Sequence, residues 1–205
     1  VVGNEGPSFV SRGGFKLLGA IEEMALNFKD KIVLDVGAST GGFTDCALQH
    51  GAQRVYAVDV GYGQLDWSLR QDPRVTTMER TNIRYVTPEM FSEKIDLATI
   101  DVAFISLSLV LPVVSQLLIG KGEIIALVKP QFEAGRKQVG KKGVVKNQVV
   151  HQEVLYRVVR EAKECDLALI NACYSPIKGP QGNIEFFVYL RKGNAEGSDL
   201  NILNA

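Results

Sequence analysis

Short apolar runs rich in β-branched residues alternate along the chain with stretches whose apolar positions recur at helical spacing, a pattern that predicts an α/β domain built on a mostly parallel sheet. The runs cover residues 31–36, 54–60, 75–78, 95–102, 122–130, 167–174 and 184–190. Between them, Leu17, Ile21, Met24 and Phe28 make the apolar stripe of a first helix introduced by Ser11 to Lys16. A second helix is predicted over 40–50, closed by Gly51, and a third over 106–118. The last helix spans 147–165, with Asn147 as N-cap and Val150, Val154, Val158 and Ala162 on one face. The run at 122–130 is apolar throughout, as expected of a strand covered on both faces. The final two runs are joined by only 175–183, short enough for an antiparallel hairpin. Residues 1–9 read as an extended lead-in, 131–146 as a loop and 193–205 as a frayed tail around a single domain over 10–192.

The first strand ends in Asp35 and runs into Gly37-Ala38-Ser39-Thr40-Gly41-Gly42-Phe43 before the second helix. In open α/β sheets that edge binds ligands, because helix amides point outward there and glycines let a cofactor approach the backbone. The spacing Gly37-x-Ser39-x-x-Gly42 only approximates the dinucleotide fingerprint, so the loop does not separate a nicotinamide cofactor from other adenosine ligands. Asp35 shifts the balance towards S-adenosylmethionine, since a carboxylate facing the ligand suits a cationic amino-acid moiety and repels a pyrophosphate. Asp59, at the end of the second strand, is placed to accept the ribose hydroxyls of an adenosine, with Val60 beside it and Asn82 in a polar stretch that brackets the adenine. The expected cofactor contacts are therefore Asp35, Gly37 to Phe43, Asp59, Val60, Asn82 and Asp101.

Charge adds a second theme. Lys+Arg and Asp+Glu are 23 each in 205 residues, so a nucleic-acid contact has to come from a local patch. Between Arg136 and Lys146 there are five basic residues and no acid, which suits a phosphate-tracking segment and equally a solvated loop. Cys46, Cys165 and Cys173 are too widely spaced for a metal-binding pair or a disulfide framework, as in a reducing cytoplasm. No run approaches membrane-span length and no secretory signal pattern opens the sequence, so a soluble cytoplasmic protein is expected.

Lys16 on the first helix, Asp101 and Lys129 on strand ends, and Glu185 at the start of the last strand gather at the cofactor edge. Alone, Lys16 reads as a solvated lysine on a helix end. Together the four suit proton removal from a weakly acidic hydroxyl, with Lys129 as the group that acts on it. Its neighbours pull in opposite directions: Lys16 disfavours a charge on Lys129, while Asp101 and Glu185 favour one.

Seven blocks resemble the TlyA haemolysin-like family of ribosomal RNA methyltransferases, itself similar to the FtsJ-type ribose 2′-O-methyltransferases. They are Val10 to Leu17, Asp35 to Thr44, Asp59 to Leu65, Glu79 to Asn82, Phe104 to Leu107, Val128 to Glu133 and Gly182 to Phe187. The resemblance implies a Rossmann-like methyltransferase fold with a seven-stranded sheet, helices on both faces and a terminal antiparallel hairpin. It also implies S-adenosylmethionine as cofactor, ribosomal RNA as partner, cytidine ribose as target, and a catalytic tetrad of Lys16, Asp101, Lys129 and Glu185. Relatives carry an S4-type RNA-binding module before the Val10 segment, and this sequence starts just ahead of it, so weaker RNA affinity is expected. Ala103 stands where the pattern has a Ser before Phe104, which bears on substrate positioning. Two other functions compete with methyl transfer: membrane lysis, suggested by the family's label, and RNA binding without turnover.

Overall fold

The computed structural model describes residues 8–193 and Leu203. Most of the expected lead-in and tail lies outside the described residues. Seven strands form one sheet in the order β3-β2-β1-β4-β5-β7-β6. They are β1 (Ile32–Val36), β2 (Arg54–Val58), β3 (Val75–Met78), β4 (Ile95–Ile100), β5 (Leu118–Val128), β6 (Leu167–Tyr174) and β7 (Phe186–Lys192). The pairs from β3 through β5 are parallel, and β7 runs antiparallel between β5 and β6. This is the predicted architecture, terminal hairpin included.

Side-chain alternation divides the core between the two faces of the sheet. Ile32, Leu34 and Val36 of β1 pack with α4 (Leu111–Leu117) and α6 (Gln148–Glu164). Val33 faces α1 (Arg12–Met24) and α2 (Gly42–Gln49) instead, with α3 (Trp67–Gln71) contributing Leu69 to the same cluster. The stripe of α1 is buried as its spacing predicts, although the helix stops at Met24 where Ala25 turns left-handed, and Phe28 reaches the core from the following loop. Asn147 caps α6 by accepting the Val149 N–H at 2.9 Å.

The expected helix over 106–118 divides into a 3-10 turn at Leu107–Leu109 and α4, and two further differences bear on the site. Strand β5 starts at Leu118 rather than at residue 122, because Leu118 already pairs with Ile95 and a register shift follows before Glu123 pairs with Leu97. The segment after β5 is not wholly a loop. Pro130–Glu133 forms a short helix, α5, and Glu133 is buried, accepting from Ser106 Oγ and the Leu107 N–H, both at 2.8 Å. At the other end Val145 is buried: its N–H donates to Asn183 Oδ1 and its carbonyl meets His151 Nε2 at 2.9 Å. The exposed basic side chains hang between these two anchors.

Candidate active site

Parallel pairing brings the carboxyl ends of β1, β2, β4 and β5 to one edge, and two adjoining cavities open there. One, about 460 Å³, is lined by Ser11 to Gly13, Lys16, Gly42, Phe43 and Lys178 to Pro180. The other, about 420 Å³, is lined by Asp59 to Gly61, Gln64, Asn82 and Val102 to Ile105. Gly37, Ser39 and Asp101 line both, so the Gly37 loop is the floor of a single two-lobed cleft. Gly37 has φ +83°, and a Cβ there would overlap the Asp101 carbonyl oxygen. Only glycine lets the first loop lie so close to the end of β4.

Asp59 shapes the second lobe. One carboxylate oxygen accepts the Ser39 N–H at 2.8 Å and the other the Gly61 N–H at 2.7 Å, tying the loops after β1 and β2 together. Each oxygen keeps a lone pair for a hydroxyl donor from the cavity. Asn82 lines the same lobe while its side chain accepts the Arg84 N–H. Phe104 stands at the mouth, 90% exposed in a left-handed conformation (φ +62°), with its ring centroid 4.8 Å from that of Phe132. A bulky residue in that conformation is a strained outlier.

Three expected cofactor contacts are displaced. Asp35 does not face the cleft: its position on β1 points it to the α2 face, where it is fully buried and accepts from Thr44 Oγ1 at 2.7 Å and Thr99 Oγ1 at 2.9 Å. Burial raises its pKa to about 6 against the two hydroxyl hydrogen bonds that lower it. The carboxylate braces the strand end from behind. Thr40 and Gly41 also turn away, the first accepting the Asp66 N–H at 3.0 Å and the second abutting Leu65 and Leu69.

The four charged residues nominated from the sequence meet as two ion pairs. Lys129 Nζ lies 2.5 Å from Asp101 Oδ1, and Lys16 Nζ donates to Glu185 Oε2 at 2.6 Å. The first pair is a close ion contact, with Asp101 Oδ1 buried against the ammonium. Glu185 is fully buried, and its other oxygen accepts from Gln131 Nε2 at 3.0 Å. The backbone of Gly179 lies against that same oxygen, where a Cβ would collide with it. Neither Gln131 nor Gly179 stood out in the sequence, because a glutamine and a loop glycine carry no signal until the strands are assembled. Arg12 and Lys178, both exposed at the rim, went unnoticed for the same reason.

The thiols behave as buried groups. Burial pushes Cys46 up to about 12 and Cys173 up to about 11, away from reactive thiolate character. A roomier cavity of about 930 Å³ lies against β6 among Gly19, Glu23, Asn171 and Tyr174, and none of the nominated residues lines it.

The family model described as FtsJ-like methyltransferase matches residues 9–192. The chain belongs to that family. An FtsJ-like relative in Bacillus subtilis, provisionally named rRNA methyltransferase YqxC, is 55% identical over 183 residues, covering 89% of this chain and 65% of that protein. The chain thus spans about two thirds of that relative's length. The 16S/23S rRNA (cytidine-2′-O)-methyltransferase TlyA of Mycobacterium tuberculosis is 47% identical over 191 residues, 93% of this chain and 71% of its own. A solved Streptococcus thermophilus structure, provisionally described as a hemolysin, superposes with a TM-score of 0.92 at 45% identity, covering 98% of this chain and 75% of that one. Among the described residues no helix is long and apolar enough to cross a membrane.

Proposed function

We propose that this FtsJ-like domain, over residues 10–192, transfers a methyl group from S-adenosylmethionine to a ribose 2′-hydroxyl of ribosomal RNA, with cytidine as the nucleotide. The observation that carries this reading is the junction of the two lobes, where Asp101 lines both cavities and is paired with Lys129. Asp59 and Asn82 suit the adenosine half of the cofactor, and the lobe beside Gly42 and Phe43 suits its amino-acid half. Bound there, S-adenosylmethionine supplies a methyl group activated by a sulfonium, and transfer needs only a nucleophile aligned at near-attack distance.

The chain's own residues then deal with a poor nucleophile. Lys129 Nζ orients the hydroxyl oxygen and, in its neutral form, takes the hydroxyl proton. Asp101 holds the resulting ammonium, while Lys16 and Glu185 neutralise one another beside it. Exposed Arg12 and Lys178 at the rim, the basic side chains from Arg136 to Lys142, and Arg80 stacked on Tyr62 at 4.3 Å suit an RNA backbone. Phe104 offers an open aromatic face to an unstacked base. An RNA substrate of this class also agrees with work in the cytoplasm.

The test is incubation with labelled S-adenosylmethionine and ribosomal subunits, followed by mapping of methylated riboses. Wild-type protein should label ribose, and Lys129→Met should lose about 10²- to 10⁴-fold in rate with calorimetric cofactor affinity retained. Equal loss of both in the variant would mark Lys129 as structural. Absence of cofactor binding by the wild type would favour RNA binding without turnover.

A further inference from the structure

The two ion pairs reach the cleft on four separate elements, and Gln131 joins them. It follows Lys129 by two residues, at the start of α5, where Pro130 fixes the backbone and the Phe132 and Glu133 N–H groups both donate to the Lys129 carbonyl at 2.9 and 3.2 Å. From this rigid turn the Gln131 amide reaches across to Glu185 Oε1 at 3.0 Å, while Lys16 Nζ holds Oε2 at 2.6 Å. Gly179 closes the remaining side of the carboxylate with bare backbone.

The orientation of the amide follows from chemistry. Glu185 ionised against Lys16 only accepts, so the Gln131 nitrogen must face it and the oxygen must face away. That oxygen, Gln131 Oε1, is buried and has no donor among the described residues. A buried amide oxygen left without a partner costs stability, and the other end of the amide is spent on the Glu185 carboxylate, whose buried Oε1 it supplies with a donor. The amide at this position therefore leaves its own oxygen unpaired while it fixes a carboxylate.

We propose that Gln131 is a positioning residue of the methyl-transfer site: it locks the Glu185 carboxylate, and through it Lys16, in register with Lys129 on the neighbouring strand end. This rests on the methyl-transfer reading above. Gln131 touches neither cofactor nor substrate in this role and acts through Glu185.

The experiment compares wild type, Gln131→Met and Gln131→Glu in the full chain, with ribosomal subunits as substrate. It measures kcat, KM for the subunits, calorimetric Kd for S-adenosylmethionine, and Tm. Gln131→Met keeps the length of the side chain and removes both the donor and the orphaned oxygen. Its kcat should fall about 10- to 100-fold, the worth of one hydrogen bond to a charged group. KM and Kd should stay within about twofold, and Tm should change little, because the orphaned amide oxygen goes at the same time as Glu185 Oε1 loses its donor. Gln131→Glu sets a second carboxylate against Glu185, and a pair at that distance shares a proton more readily as pH falls. The activity of Gln131→Glu relative to wild type should therefore climb towards lower pH. An unchanged kcat in Gln131→Met, or a loss that tracks a lower Tm and weaker cofactor binding, overturns the proposal, as does a pH-independent Gln131→Glu ratio. Wild-type protein that labels no ribose removes the methyl-transfer reading itself, whereas a labelling wild type with normal Gln131→Met kinetics removes only the role of Gln131.

Discussion

The two ends of the cleft are built from different materials. Beneath the adenosine lobe the contacts run through backbone amides of the loops: the Gly37 loop, the Ser39 and Gly61 amides on Asp59, and the Arg84 amide on Asn82. At the charged end the geometry is made by side chains from residues 16, 101, 129, 131 and 185, with Lys129 and Asp101 set by the β4–β5 pairing and Glu185 brought in beside β5 by β7. The first end is organised by loop backbone and its amides, the second by side-chain pairs between elements. Substitutions should therefore separate cofactor binding from turnover, except where one residue serves both ends.

Gly37 is such a residue, and Gly37→Ala should break the separation most severely. The added methyl would strike the Asp101 carbonyl, and the left-handed conformation would be strained by about 1–3 kcal/mol. Calorimetry should find cofactor affinity lost, and transfer assays should find turnover lost with it. Asp59→Ala should sharpen the separation: cofactor Kd rises about 10- to 100-fold, the cost of one or two hydrogen bonds to a carboxylate, while kcat at saturating cofactor changes little.

The effect with least bearing on binding or turnover is on stability. Asp35 is held at a pKa of about 6 against an ordinary value of 3.8, so the folded state binds its proton more tightly than the unfolded chain does. Its contribution is fully favourable below pH 4 and is lost as pH rises through 6, by an amount of the order of 3 kcal/mol. Asp35→Asn should remove that slope and raise Tm at pH 8, measured by thermal melts across pH 4–8. A Tm at pH 8 that falls instead would show that the carboxylate's bonds to Thr44 and Thr99 outweigh its burial.

The same division explains what could be read from the chain. Strands and helices were legible because their apolar spacing is local, and the Gly37 loop because a strand, a glycine turn and a helix are contiguous in sequence. Asp35 was assigned to the wrong side of the strand end. It shares the face of Val33, where the hydroxyls of buried Thr44 and Thr99 meet it. The basic segment looked like plain loop, yet Val145 is an apolar residue at its end and is its anchor. The four charges could be nominated from strand ends and a family likeness. The place of Glu185 against Lys16 and Gln131 depends on β7 lying beside β5, which no local pattern specifies.

That position of β7 has a consequence for how the molecule comes into being. The strand made last inserts between β5 and β6, and Glu185 arrives with it. A nascent chain that has emerged only through β4 already carries Gly37, Asp59 and Asn82, yet it still lacks the lysine, glutamine and glutamate of the charged end. The proposed transfer would thus switch on only once the β6–β7 hairpin has joined the sheet.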